Sequence, residues 1–124
     1  MTVLVVDDSA VMRSMITRAV SLCGVPVERT LQAGDGQAAL DILQREDVQV
    51  LLTDINMPVM TGIELLRHLA TEDRWKDLVR VVISTDGSER RRAEAESLRV
   101  TDYVTKPIRP EVMRDVLSHA PARA

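Results

Sequence analysis

The chain has no phenylalanine, a single tryptophan (Trp75), a single tyrosine (Tyr103) and a single cysteine (Cys23). A core this poor in aromatics must be built from Val, Leu, Ile, Ala and Met. One cysteine forms no internal disulfide, so the stapled secreted scaffolds are excluded. Cys23 reads instead as a small buried hydrophobe in a reducing compartment. Five glycines and five prolines in 124 residues exclude collagenous and low-complexity chains. No apolar run is long enough to span a membrane, and Met1 to Asp8 lacks the basic segment of a signal peptide. Positive charge is not in excess either: 16 Lys and Arg face 19 Asp and Glu, a net charge of −3. That balance argues against nucleic acid or an anionic membrane as the main partner. The expectation is one domain over residues 1–124, cytoplasmic, with no membrane insertion.

What is present is an alternation of apolar runs and helical periodicity. Val3 to Val6 is a continuous apolar run closed by Asp7 and Asp8. Val11, Met12, Met15, Ile16, Ala19 and Val20 then recur with helical spacing up to Gly24, a residue suited to the position after a helix. Val25, Val27, Leu31 and Ala33 alternate with polar residues, predicting a strand with one wet face at the edge of a sheet. A short helix follows Gly34-Asp35-Gly36. Val48 to Leu52 predicts a third strand, Ile63 to Ala70 a third helix, and Val79 to Ile83 a fourth strand. Ser88 is placed to cap a fourth helix, Tyr103-Val104 lies in a fifth strand, and Pro110 opens the last helix at a position proline tolerates. Five such alternations predict an α/β fold, a doubly wound five-stranded parallel sheet with helices on both faces.

In such sheets ligands bind beyond the carboxyl ends of the strands. The polar residues there are Asp7 and Asp8 after the first strand, Asp54 after the third, Ser84 and Thr85 after the fourth, and Lys106 after the fifth. Each has an ordinary structural explanation. Asp8 or Ser9 suits a helix cap, Asp54 an Asx turn before Met57-Pro58, and Lys106 a solvated loop. Invoking such explanations separately at one sheet edge is less economical than a site. Three carboxylates against one ammonium leave an excess of negative charge that a divalent ion would balance. All donors are oxygens, with no His or Cys among them, which selects a hard ion such as Mg²⁺ and not zinc. A metal, a lysine, a hydroxyl and a free carboxylate together suit phosphoryl transfer onto Asp54. His68, His119 and the run Arg90-Arg91-Arg92 read as solvated surface, and the six Met residues as mostly core.

The residues Leu4-Val5-Val6-Asp7-Asp8-Ser9, Gly34-Asp35-Gly36, Leu52 to Pro58, Thr61-Gly62, Ile83-Ser84 and Tyr103 to Pro107, in this order and spacing, resemble the receiver domain of two-component response regulators, of the CheY-like chemotaxis kind. The resemblance covers essentially the whole chain. It implies the flavodoxin-like strand order 2-1-3-4-5 and a phosphorylation switch, not an enzyme. It implies that Asp54 accepts a phosphoryl group from a sensor histidine kinase. Mg²⁺ would be held by Asp8, by Asp7 through water, by Asp54 and by the backbone carbonyl of Asn56. Lys106 would pair with the phosphoryl oxygens and Ser84 would hydrogen-bond one of them. Tyr103 would turn inward as Ser84 moves, altering a surface read by a downstream protein, with the flagellar motor switch as a candidate. Asn56, Thr85 and Asp86 would neighbour the phosphoryl group, stiff Thr85 limiting access to it. The Lys106-Pro107 bond would be cis, and the protein a monomer.

Thr61, Thr85, Arg99-Val100 and Ile108 depart from the family's usual residues, and none of these removes a phosphorylation residue. The changes at Arg99, Val100 and Ile108 lie near the output surface and leave the partner's identity open, as chemotaxis against another phosphorelay is. Two rivals fare worse. Gly34-Asp35-Gly36-Gln37-Ala38-Ala39 with Asp54 meets the dinucleotide fingerprint, but Asp35 would repel a pyrophosphate. A phosphatase of the haloacid-dehalogenase type needs a second Asp two residues after its nucleophile, where Asn56 stands and shuttles no proton.

Overall fold

The structure is a computed structural model that describes residues 1–119. Strands and helices alternate: β1 (Thr2–Val6), α1 (Ala10–Leu22), β2 (Arg29–Ala33), α2 (Gly36–Arg45), β3 (Val50–Thr53), α3 (Gly62–Ala70), a short 3-10 turn at Asp73–Trp75, β4 (Val79–Ser84), α4 (Glu89–Glu96), β5 (Asp102–Thr105) and α5 (Pro110–Leu117). All pairings are parallel and the order is β2-β1-β3-β4-β5, as expected.

The period of two along each strand assigns the core. Leu4, Val6, Leu51 and Val82 face α2, α3 and the Ala95 side of α4. Val3, Val5, Val50, Leu52, Val81 and Ile83 face α1 and α5 through Ile16, Ala19, Val20, Met113, Val116 and Leu117. Both faces of β1, β3 and β4 are buried, which is why their sequences lack alternation. Cys23 is buried as expected. Of the methionines, Met57, Met60 and Met113 are core, whereas Met15 is exposed.

Three details correct the sequence reading. β2 begins at Arg29, not at Val25. Val25 and Val27 pack against the α1/α5 layer without joining the ladder, and Pro26 between them has no N–H to donate. β3 begins at Val50, with Gln49 forming a bend that receives the Thr2 amide on its side-chain oxygen at 2.6 Å. Arg80, inside the apolar fourth strand, is 1% exposed. Its guanidinium donates to the carbonyls of Leu78 (3.0 Å), Trp75 (3.0 Å) and Leu69 (3.4 Å), tying the end of α3 and the 3-10 turn to β4. Burial, and then the charge of Arg99, lower its pKa.

Helix starts follow their caps. Ser9, Asp35, Thr61 and Ser88 accept from backbone N–H groups of the first turns of α1 to α4. Thr61 forms a reciprocal capping box with Glu64, so the departure from the usual residue there keeps the helix start. Arg99 adopts φ 67° just after α4, a left-handed position where glycine is the easier residue. The Lys106-Pro107 bond is cis.

Candidate functional site

β1, β3, β4 and β5 each deliver a residue at or just beyond their carboxyl ends to the same sheet edge. Asp7 follows β1, with its amide donating to the Ala33 carbonyl at 3.1 Å. Asp54 follows β3, with its amide donating to Val6 at 2.9 Å. Ser84 closes β4, and Lys106 follows β5, with its amide donating to the Ser84 carbonyl at 2.9 Å. Backbone hydrogen bonds therefore fix the side chains that converge here.

The Lys106 ammonium donates to Asp7 Oδ2 at 2.6 Å and to Asp54 Oδ2 at 3.1 Å. Its side chain is only 8% exposed. Burial pulls the lysine pKa down, but the hydrogen bonds it donates to Asp7 and Asp54 and their charges outweigh it, and the net direction is up. The other oxygens of these two carboxylates are held by backbone amides. Ser9 N donates to Asp7 Oδ1 at 2.9 Å, and Ile55 N to Asp54 Oδ1 at 2.7 Å. Asp8 is exposed and takes no part in the Ser9 cap. Carboxylate oxygens of Asp7, Asp8 and Asp54 lie within 4.8 Å of one another, an acidic group able to hold a metal. Each carboxylate oxygen has two lone pairs, so those already bonded keep accepting capacity. The all-oxygen donor set fits a hard divalent ion.

The remaining candidates are distributed around this centre. Ser84 is fully buried and its Oγ accepts from Asp86 N at 3.1 Å. Thr85 and Asn56 are exposed. Asp86 is held below the usual carboxylate range, first by the Ser88 amide and then by the Ser88 side chain, with Arg91 adding to it against weak desolvation. The Tyr103 hydroxyl donates to the Asp86 carbonyl. Its half-buried ring packs against the α2/α3/α4 layer. Burial, then the Asp86 charge, raise the Tyr103 pKa against the pull of Ser84, Arg92 and Arg91. Asp35 Oδ1 occupies the α2 N-terminus by accepting from Ala38 N at 2.8 Å, which fills the position a pyrophosphate would need.

His68 is exposed, and His119 pairs with Asp102 at 2.8 Å, both away from the carboxylates. The arginine run is not simply solvated. Arg91 pairs with Glu94 at 2.7 Å and Asp86 at 3.6 Å, and Arg92 lies over the Tyr103 ring. Only Arg90 is exposed as expected. Arg13 closes the Asp8-Ser9-Ala10-Val11-Met12-Arg13 stretch that favours the chemotaxis kind, but the sequence assigns it no role of its own. Its Nη1 donates to the Asp7 carbonyl at 2.6 Å and its Nε to Gln32 at 3.2 Å, bracing the turn that presents Asp7 and Asp8. It stands one turn into α1 and reaches Gln32 of β2.

Residues 3–118 match the response regulator receiver domain family. The chain is 36% identical over 118 residues to the chemotaxis protein CheY homolog of Campylobacter jejuni, covering 94% of this chain and 89% of the relative. It is equally 36% identical over 118 residues to chemotaxis protein CheY1 of Helicobacter pylori, covering 94% of each. Among solved structures, the chemotaxis response regulator CheY4 of Vibrio cholerae superimposes with a TM-score of 0.82 at 30% identity, over 94% of this chain and 95% of that one.

Proposed function

This chain belongs to the response regulator receiver domain family of phosphorylation-dependent signalling switches, and on that premise we propose that Asp54 is its phosphoacceptor and a sensor histidine kinase its donor. In the transfer, an Asp54 carboxylate oxygen attacks the phosphorus of a phosphohistidine. A P–O bond forms, the P–N bond breaks, and the imidazole leaves with the bonding electron pair. Such transfers depend mainly on positioning and charge neutralisation.

Lys106 pairs with the incoming phosphoryl oxygens, exchanging part of its contact with Asp54. The Ser84 hydroxyl turns from the Asp86 amide to hydrogen-bond one of those oxygens. Asp8, Asp54 and the Asn56 carbonyl, with Asp7 through water, would hold Mg²⁺, which would supply neutralisation of charge that otherwise repels the donor. Thr85, Asn56 and Asp86 set access to the acyl phosphate. Tyr103 carries the change to the face formed by α4, β5 and α5. A cytoplasmic monomer in chemotaxis, with the flagellar motor switch as target, is the pathway this reading favours, since the relatives named above are chemotaxis proteins.

The observation that carries this reading is Lys106 astride Asp7 and Asp54, with Asp8 beside them. The test is incubation with acetyl phosphate and Mg²⁺ followed by intact-mass measurement. One added phosphoryl group on the wild type and none on Asp54→Asn is expected. Equal labelling of the two proteins refutes the assignment.

A further inference from the structure

The face on which the proposed signal emerges carries a contact the phosphorylation chemistry does not require. The Arg92 guanidinium lies 4.8 Å from the centroid of the Tyr103 ring. The same group donates through Nη1 to the Tyr103 carbonyl and through Nε to the Gly87 carbonyl, each at 3.3 Å. One planar cation thus covers the ring, grips the strand carrying it, and grips the loop between β4 and α4.

That loop is already seated closely on β5. A Cβ on Gly87 would stand 2.8 Å from the Thr105 methyl, so only glycine lets the loop approach this far. On its other side the ring's hydroxyl donates to the Asp86 carbonyl, and the Asp86 amide donates to Ser84 Oγ at 3.1 Å. A continuous chain of contacts runs from Ser84 through Asp86 and Tyr103 to Arg92. It is complete with Asp54 unmodified.

We propose that Arg92 is a positioning residue that holds the Tyr103 ring against α4 before any phosphoryl group arrives, so the output face of this receiver is partly preset. The proposal rests on the reading of Tyr103 as the switch aromatic. Arginine suits the task where lysine does not: its fork reaches two carbonyls while its plane stacks on the ring. Phosphorylation would then have less conformational work to do at this residue, because a state already populated needs only a small bias.

Tyr103 is the only tyrosine, so incorporation of 3-fluorotyrosine gives one ¹⁹F resonance from the full chain. In the unphosphorylated wild type this resonance is expected to show little difference between H₂O and D₂O. In Arg92→Ala it should move, with an increased solvent isotope shift. Arg92→Lys should follow Arg92→Ala, since an ammonium keeps the charge but loses the fork and the plane.

The phenol titration separates positioning from simple charge. Asp86, Arg91 and Arg92 are the charged groups acting on Tyr103. In the unlabelled protein, deleting the Arg92 charge alone would raise the phenol pKa, whereas release of the ring to water lowers it toward about 10. A fall is expected. An unmoved resonance in Arg92→Ala, a rise in the phenol pKa, or wild-type behaviour of Arg92→Lys overturns the proposal. Adding acetyl phosphate and Mg²⁺ tests the underlying reading separately. If Asp54 is labelled by mass and no resonance responds, Tyr103 is not the switch, while the unphosphorylated comparison still decides the role of Arg92.

Discussion

A Cβ placed on Gly62 would stand 2.0 Å from the backbone carbonyl oxygen of Asp54. The α3 N-terminus therefore rests directly on the segment that carries the central carboxylate, and the Gly62 amide donates to Ile55 at 2.8 Å. Gly62→Ala must push α3 or the Asp54 backbone aside. The expected cost is about 3 kcal/mol, at the upper end for overpacking. Chemical denaturation measures it, and acetyl phosphate labelling of Asp54 should slow in the same variant. Wild-type stability would mean that α3 shifts freely over Asp54.

Val59 combines two unfavourable properties. It is 80% exposed, and it holds φ 67°, with the Met60 amide donating to the Pro58 carbonyl at 2.7 Å across it. A β-branched residue in the left-handed region is strained, whereas asparagine tolerates it. Val59→Asn loses no packing and should gain about 1 kcal/mol in thermal unfolding. A loss of stability would show that the apolar side chain has a partner in the folded chain.

Among the described residues Arg80 has no counter-ion partner, and its Nε has no acceptor there. Its burial is costly, but three carbonyls turn toward it. Arg80→Met keeps the volume and removes the buried charge, so its effect should stay within about 1 kcal/mol. Arg80→Ala loses the same carbonyl contacts as the methionine variant and adds a cavity, and should cost about 3 kcal/mol. Urea unfolding of the two variants checks this, and the opposite ranking would sink it.

The capping box on α3 predicts a pH dependence. The Thr61 amide, then its hydroxyl, hold the Glu64 carboxyl below its ordinary value against weak desolvation. A carboxyl depressed in the folded state contributes stability that is present above the unfolded value of about 4.3 and lost as pH falls through the lower folded one. The difference in melting temperature between wild type and Glu64→Gln should therefore shrink on acidification through that window. A difference that does not vary with pH would mean the box does not form in solution.

The sheet and its edge were legible because two regularities coincide in sequence. Val3 to Val6 and Val79 to Ile83 are apolar enough to mark buried strands, and each ends on a polar residue that the parallel topology must place at one edge. Asp7, Asp54, Ser84 and Lys106 follow from that alone. Arg80 was not legible, because a charge within an apolar run gives no sign that Leu69, Trp75 and Leu78 supply acceptors for it. Arg92 was equally hidden: beside Arg90 and Arg91 it resembles solvated surface, and its aromatic partner belongs to a different element. The start of β2 was misplaced because Val25 and Val27 alternate for reasons of burial alone. Pairing depends on donors, and Pro26 supplies none.

The longest-range contact of the site joins Lys106 to Asp7 across 99 residues of sequence, and a second joins it to Asp54 across 52. During synthesis the two aspartates emerge from the ribosome well before the lysine that separates their charges. Until β5 docks beside β4, a nascent chain can hold the carboxylates but not their cation. On the proposed reading, a molecule whose last strand has not docked lacks the cation that would pair with the incoming phosphoryl group, so its phosphoryl uptake should be slower than that of the folded chain.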